Sequence, residues 1–140
     1  MTIRWGTWLA GSALVVAVSA CGGGSSGTPT SLSLEGLKVP TSDVVSAVKS
    51  MCGVAAQAHT DPVASNSAYY GGPQAMLHRL AAILTSNHSA ESKALLTALG
   101  AYETDVTHTP PSATAGTDAD AIVQASVAGL KALKVTPPTC

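Results

Sequence analysis

Apolar side chains recur at intervals of three and four in four stretches of the chain, with polar residues between them. This spacing places the apolar side chains of each stretch on one face of an α-helix. Helices are therefore predicted over roughly residues 43–58, 73–86, 90–108 and 118–134. Their apolar faces are Val44, Val45, Val48, Met51, Cys52 and Ala55; Met76, Leu77, Leu80, Ile83 and Leu84; Leu95, Leu96, Leu99, Tyr102 and Val106; and Ile122, Val123, Ser126, Val127, Leu130 and Leu133.

Residues suited to helix caps stand at the predicted helix starts. They are Thr41 or Ser42 for the first helix, Asn87 or Ser89 for the third, and Thr117 with Asp120 for the fourth. Only a few residues separate the second and third helices, so these two are expected to form an antiparallel hairpin. The fold class predicted for the domain is all-α, a small up-down four-helix bundle.

The connection between the first two helices, residues 59–72, is longer than the 2–8 residues that are typical between helices. Asp61 followed by Pro62 predicts a short extra turn of helix, with Asp61 as its cap. Tyr69 and Tyr70 then stand at the positive end of the next helix. Paired tyrosine rings favour contact with a ligand or a partner. The alternative is that both rings cover the end of the bundle.

The amino-terminal segment has the features of a targeting sequence. Residues 5–18 carry no charge and follow Arg4, and the small residues Ser19 and Ala20 precede Cys21. This order is typical of a cleaved signal peptide. The apolar run is shorter than the roughly 20 residues of a membrane-spanning helix, and glycines follow it in place of a basic cluster.

Val18-Ser19-Ala20-Cys21 resembles the lipobox of bacterial lipoproteins. The resemblance covers the leader only, and the mature domain is not assigned to a family. It implies that residues 1–20 are removed, that Cys21 carries a diacylglyceryl group, and that the new amino terminus is acylated, with palmitate as an expected chain. Two or more acyl chains anchor a protein stably where one does not. The expected location is therefore the extracytoplasmic face of the cell membrane.

The segment after Cys21 is rich in Gly, Ser, Thr and Pro, which predicts a flexible tether over residues 21–41 ahead of a helical domain at 42–140. Four apolar residues in this segment alternate with polar ones, which would also fit a short extended stretch that docks on the domain. These four are Leu32, Leu34, Leu37 and Val39.

Cysteine usage agrees with export. With Cys21 assigned to lipid, Cys52 and Cys140 remain as an even pair, which favours a disulfide in an oxidising compartment. The bridge would close a loop of about 88 residues. An extended tail after Lys134 would reach up to about 20 Å, far enough to return along the first helix. A metal site or a reactive thiol is the alternative, although the pair lacks CxxC spacing.

Composition narrows the classes of function. Of the 140 residues, 46% are apolar, 11% charged and 4% aromatic, and the formal net charge is −1. The apolar content excludes a wholly disordered chain, and the charge offers no basic surface for nucleic acid. Because Phe is absent, the core has to be built from Ala, Leu, Val, Ile and Met, which suits close-packed helices.

Motifs for catalysis or metal binding are missing from the sequence. The four histidines show no i, i+4 pair, and His78 is expected to face solvent. A metal site would require at least three side chains to converge from the set His59, Asp61, His88, His108 and Glu103. No cofactor, metal or catalytic residue is therefore predicted.

The function predicted from these features is a non-catalytic binding or accessory role in the cell envelope, with an envelope protein as partner. One alternative is a helical bundle that binds a small apolar ligand or a lipid near Tyr69 and Tyr70. A metal-dependent protein or enzyme is the third hypothesis.

Overall fold

The structure, a computed structural model, describes residues 27–140, so the predicted signal peptide and Cys21 lie outside the described residues. Within that range the chain forms a two-stranded antiparallel hairpin followed by five α-helices. The strands are β1 (Ser31–Leu34) and β2 (Leu37–Pro40), and the helices are α1 (Thr41–Ala58), α2 (Pro62–Gly71), α3 (Gln74–Ser86), α4 (Glu91–Thr107) and α5 (Ala115–Ala132).

The helical class is confirmed, and the four predicted amphipathic stretches correspond to α1, α3, α4 and α5. The expected four-helix bundle needs correction, because α2 is a further helix of 10 residues. Its start is as predicted: the Asp61 side chain accepts a hydrogen bond from the Ala64 N–H at 3.0 Å, and Pro62 occupies the first turn. The helix then continues, with Ser65 and Tyr69 buried four positions apart on one face.

The predicted side-chain caps of three helices are absent. No side chain at the N-cap of α1, α4 or α5 makes a capping hydrogen bond. In α1, the Thr41 hydroxyl donates instead to the Pro29 carbonyl at 2.5 Å, which ties the helix start to the segment before β1. The capping box of Thr117 and Asp120 does not form, because α5 already begins at Ala115.

Helices α1 and α5 pack against each other and together contact the remaining helices. Close approach of α5 to α3 depends on Gly129, where a Cβ atom would lie 2.6 Å from Leu84 Cδ1. The core is aliphatic apart from two tyrosines. Its largest fully buried side chains are Tyr69, Tyr102, Met51, Leu77, Leu80, Ile83, Leu84, Leu95, Leu99, Ile122, Leu130 and Val44.

The alternating apolar residues ahead of α1 form the hairpin. Leu32 pairs with Val39 across the strands, and both side chains are buried against the helices. Glu35 and Gly36 connect the strands with φ angles of 47° and 84°. Two positive φ values are typical of a type I′ turn, whose twist matches that of the strands. Residues 31–40 are thus a docked extended segment and not free tether.

The chain reverses direction after α5. Lys134 has a φ of 61°, and the Val135 N–H donates to the Leu130 carbonyl at 2.9 Å. Val135 is buried, so the start of the tail belongs to the core. The Thr136 and Thr28 hydroxyls are 3.4 Å apart, which brings the tail beside the segment that leads into β1.

The end of the tail is bonded to α1. The Sγ atoms of Cys52 and Cys140 form a disulfide, with the two Cα atoms 5.5 Å apart. Lys49, one turn earlier in α1, donates a hydrogen bond from Nζ to the Thr139 carbonyl. The predicted pairing and the predicted return of the tail along the first helix are both confirmed.

We expect Cys52→Ser and Cys140→Ser each to lower the free energy of unfolding by about 2–5 kcal/mol, the usual loss for a native disulfide. The measurement is urea denaturation monitored by circular dichroism. The double variant should lose no more than either single variant, because all three lack the same bond. Denaturation midpoints equal to that of the unmodified protein would contradict a stabilising role for the bridge.

Candidate functional site

A polar cluster lies where α2, α3 and α4 meet. Tyr69 of α2 donates a hydrogen bond from its hydroxyl to Glu103 Oε1 of α4 at 2.8 Å. His78 of α3 places its Nε2 atom 2.7 Å from the same carboxylate oxygen. A single carboxylate therefore joins side chains from three helices. We call Tyr69, Tyr70, His78, Tyr102 and Glu103 the tyrosine–glutamate cluster.

Three aromatic rings pack together in this cluster. The Tyr69 ring lies edge-to-face against Tyr70 at 5.1 Å and against Tyr102 at 5.0 Å between centroids. Such edge-to-face pairs are the favoured geometry of aromatic rings. The Ser65 hydroxyl donates to the Pro62 carbonyl, so its remaining contact, 2.9 Å from the Tyr102 hydroxyl, is a hydrogen bond that Tyr102 donates.

The charges of the cluster follow from burial and hydrogen bonding. Burial acts to raise the pKa of Glu103, but hydrogen bonds from His78 and Tyr69 lower it below its ordinary value. Burial, together with the neighbouring Glu103 carboxylate, raises the pKa of Tyr69 well above its ordinary value. At neutral pH Glu103 is therefore an ionised acceptor and Tyr69 a protonated donor.

The two tyrosines predicted as contact residues differ in their exposure to solvent. Tyr69 is 0% exposed, so it holds the fold together and presents no surface to a partner. Tyr70 is 49% exposed. Val63, seven residues earlier in α2 and hence on the same face of the helix, is 62% exposed. The outer face of α2 therefore carries two large apolar side chains in water.

His78 of α3 is linked to α2 through Glu103, which also binds Tyr69. Its side chain is 41% exposed, in partial agreement with the expectation that it faces solvent, and it lines a surface groove of about 420 Å³. Leu34 of the hairpin and Leu96 of α4 line the same groove. Sequence reasoning missed the contact of His78 with Glu103, because the two residues are 25 positions apart and no local pattern connects them.

The five candidate metal ligands lie apart from one another. His59 pairs with Asp120 at 2.8 Å, Asp61 caps α2, and Glu103 belongs to the tyrosine–glutamate cluster. His88 occupies the turn after α3 with a φ of 53°, and His108 ends α4. Within residues 27–140, no group of three or more His, Cys, Asp or Glu side chains is placed to hold a metal ion.

A second polar group lies between the end of α4 and the start of α5. A hydrogen bond with Asp105, together with burial and the charge of that residue, raises the pKa of Asp118 to about 6. The Thr114 hydroxyl donates to Asp105 at 2.5 Å. The two carboxyl groups therefore lie close together where α4 ends and α5 begins.

The groups of the tyrosine–glutamate cluster are suited to non-covalent contact with a partner molecule. The Glu103 carboxylate fixes the orientation of the His78 ring. Tyr70 exposes its ring, and the His78 imidazole lines an apolar groove. Such groups are common on surfaces that bind partner proteins, where tyrosine supplies apolar area together with a polar tip.

We expect Glu103→Gln to lower the free energy of unfolding by about 1 kcal/mol at pH 7, because the amide retains one acceptor but loses the charge-assisted bonds. The folded-state pKa of Glu103 is below its unfolded value of 4.5, so its ionised form stabilises the protein above that pH. This contribution is lost as the pH falls through the folded pKa, and the difference between variant and unmodified protein should shrink there.

Chemical denaturation at several pH values measures this difference. Glu35→Gln, on the exposed hairpin turn, is the matched control and should leave stability at pH 7 unchanged. A difference for Glu103→Gln that stays constant as the pH falls through the folded pKa would contradict the assigned role of the carboxylate.

Comparison of the chain with protein-family models, with curated proteins and with solved structures finds no match in any of the three.

Proposed function

We propose that this chain is a lipid-anchored extracytoplasmic lipoprotein whose helical domain has a non-catalytic binding or accessory role in the cell envelope. The observation that carries the proposal is the disulfide between Cys52 and Cys140. Such bonds persist in oxidising compartments and are rare in the cytosol. The lipobox residues 18–21 would direct the chain to such a compartment and attach it there.

The arrangement of the chain is consistent with attachment at Cys21. Ser31, the first residue of β1, follows Cys21 by ten positions. Fully extended, a segment of this length would span at most about 33–36 Å, so the domain would stay close to the membrane surface. None of the helices within residues 27–140 combines the length and the apolar character needed to cross a membrane.

The binding face in this proposal is the outer surface of α2 with the adjoining His78. Val63 and Tyr70 expose apolar area, and Glu103, which also binds Tyr69 of α2, orients His78. The interior favours a protein partner over an enclosed small ligand. One hydrophobic cluster contains a residue of each predicted apolar face, namely Val44, Leu77, Leu95 and Ile122, so the four faces pack against one another.

We expect Cys21→Ala to abolish incorporation of an alkyne-labelled palmitate and to release the protein from the membrane fraction, because the variant lacks the acceptor sulfur. Cys52→Ser is the matched control and should retain both the label and the membrane attachment. Mass spectrometry should find an acylated peptide that begins at residue 21. Equal labelling of the Cys21 variant and the control would overturn the anchor.

We expect a photoreactive benzoylphenylalanine at position 70 to give a discrete covalent adduct in intact cells, because Tyr70 lies at the centre of the proposed face. The same group at Gln124, an exposed position of α5, is the control and should give no such adduct. Identical adduct patterns from both positions, or none from position 70, would contradict this assignment of the binding face.

A further inference from the structure

The most exposed large apolar side chain in residues 27–140 lies at the tip of the β1–β2 hairpin. Leu37 is 70% exposed. It pairs with Leu34 across the turn and shares a strand face with Val39, which is buried against the helices. Leu37 lies two residues nearer the turn than Val39 and stays exposed.

Further apolar side chains surround the tip. A cleft of about 230 Å³ contains Leu34, Leu37 and Met76, and the groove of about 420 Å³ beside it contains Leu34, Ala82 and Leu96. We call Leu34, Leu37, Met76, Ala82 and Leu96 the tip patch. Because Leu34 borders both depressions, the patch is a single surface that runs from the hairpin across α3 to α4.

The charges around the tip patch balance one another. Lys38 and Arg79 line the smaller cleft together with Asp43, and Glu35 stands at the turn. Within residues 27–140, neither cation forms an ion pair with a carboxylate. Long cationic side chains of this kind can lay their stems on apolar surface and keep their charged heads in water. An apolar tip with no net charge favours a neutral apolar boundary over a strongly charged partner.

The attachment at Cys21 would bring this tip to such a boundary. Each strand has four residues and rises about 13 Å, so the tip lies about that far from the base of the hairpin. The segment from Cys21 to Ser31 reaches farther than this when extended. The tip and the acylated sulfur can therefore both lie at the same membrane surface.

We infer that the hairpin tip is a second membrane contact, in which Leu37 enters the apolar boundary of the bilayer while the acyl chains on Cys21 hold the chain. The inference rests on the proposed function. The anchor would keep the tip within a few tens of ångströms of the bilayer, and this high local concentration makes a weak contact effective. Two contacts also fix the orientation of the domain, so that the outer face of α2 points in a constant direction.

A fluorescent side chain placed at the tip tests the inference. Both native tryptophans, Trp5 and Trp8, lie in the predicted signal peptide, so a processed Leu37→Trp protein has one tryptophan. Val63→Trp is the matched control, since Val63 is 62% exposed on α2. The purified acylated proteins are bound to phosphatidylcholine vesicles, with and without brominated acyl chains.

We expect the emission of the Leu37→Trp protein to shift to shorter wavelength on vesicles and to be quenched by the brominated chains, while the Val63→Trp protein emits as it does in water. Addition of phosphatidylglycerol should leave the signal from the tip unchanged, because the charges around it cancel. Leu37→Ser should still float with the vesicles, because the acyl chains remain. Circular dichroism spectra equal to that of the unmodified protein verify that the variants fold.

The outcomes separate this inference from the proposed function. Failure of the unmodified protein to float with vesicles overturns the lipid anchor itself. Flotation of both tryptophan variants with their emission equally unquenched overturns the tip contact and leaves the anchor standing. The Leu37→Trp emission could instead shift without vesicles, in proportion to protein concentration. This result would mean that the tip contacts a second copy of the chain, and it also overturns the inference.

Discussion

The return of the carboxyl-terminal tail to α1 is the contact on which the rest of the domain depends. The disulfide from Cys52 to Cys140 closes nearly the whole helical region, with a separation of 88 residues. The tail also buries Val135 and meets the segment before β1 through Thr136. An aliphatic core without phenylalanine buries limited area for each residue, and small domains of this kind commonly rely on a covalent link.

Buried tyrosines attach α2 to the rest of the domain. This short helix buries only Ser65 and Tyr69. Hydrogen bonds from Tyr69 to Glu103 and from Tyr102 to Ser65 satisfy polar groups that would be costly to bury alone. The same bonds explain why Tyr69 is internal while Tyr70, the next residue along the helix, stays at the surface.

Anchor, hairpin tip and binding face together suggest how a small domain would work at a membrane. Acyl chains at Cys21 would provide attachment, and a contact at Leu37 would provide orientation. The exposed face around Tyr70 would then be presented to a partner in the envelope. The residues at the centre of these roles, Cys21, Leu37 and Tyr70, lie in different segments of the chain, so substitutions at one need not disturb the others.

Local sequence patterns determined much of the fold of this protein. The helical stretches, the start of α2 at Asp61 and the pairing of Cys52 with Cys140 were all predictable, because periodicity, capping and cysteine number are properties of short or countable sequence features. The hairpin was partly visible in its alternating leucines. Its turn at Glu35 and Gly36 lacks the Asn-Gly or Asp-Gly signal that identifies most such turns.

Only the tertiary structure decided which polar side chains meet. Glu103 accepts hydrogen bonds from residues 25 and 34 positions away, and these contacts exist because three helices pack at one point. The start of α1 differs from the predicted cap for the same reason: the Thr41 hydroxyl, a suitable local cap, donates instead to the Pro29 carbonyl ahead of the hairpin. Packing sets the neighbours of a polar group, and those neighbours determine whether it caps a helix, stays in water or builds a site.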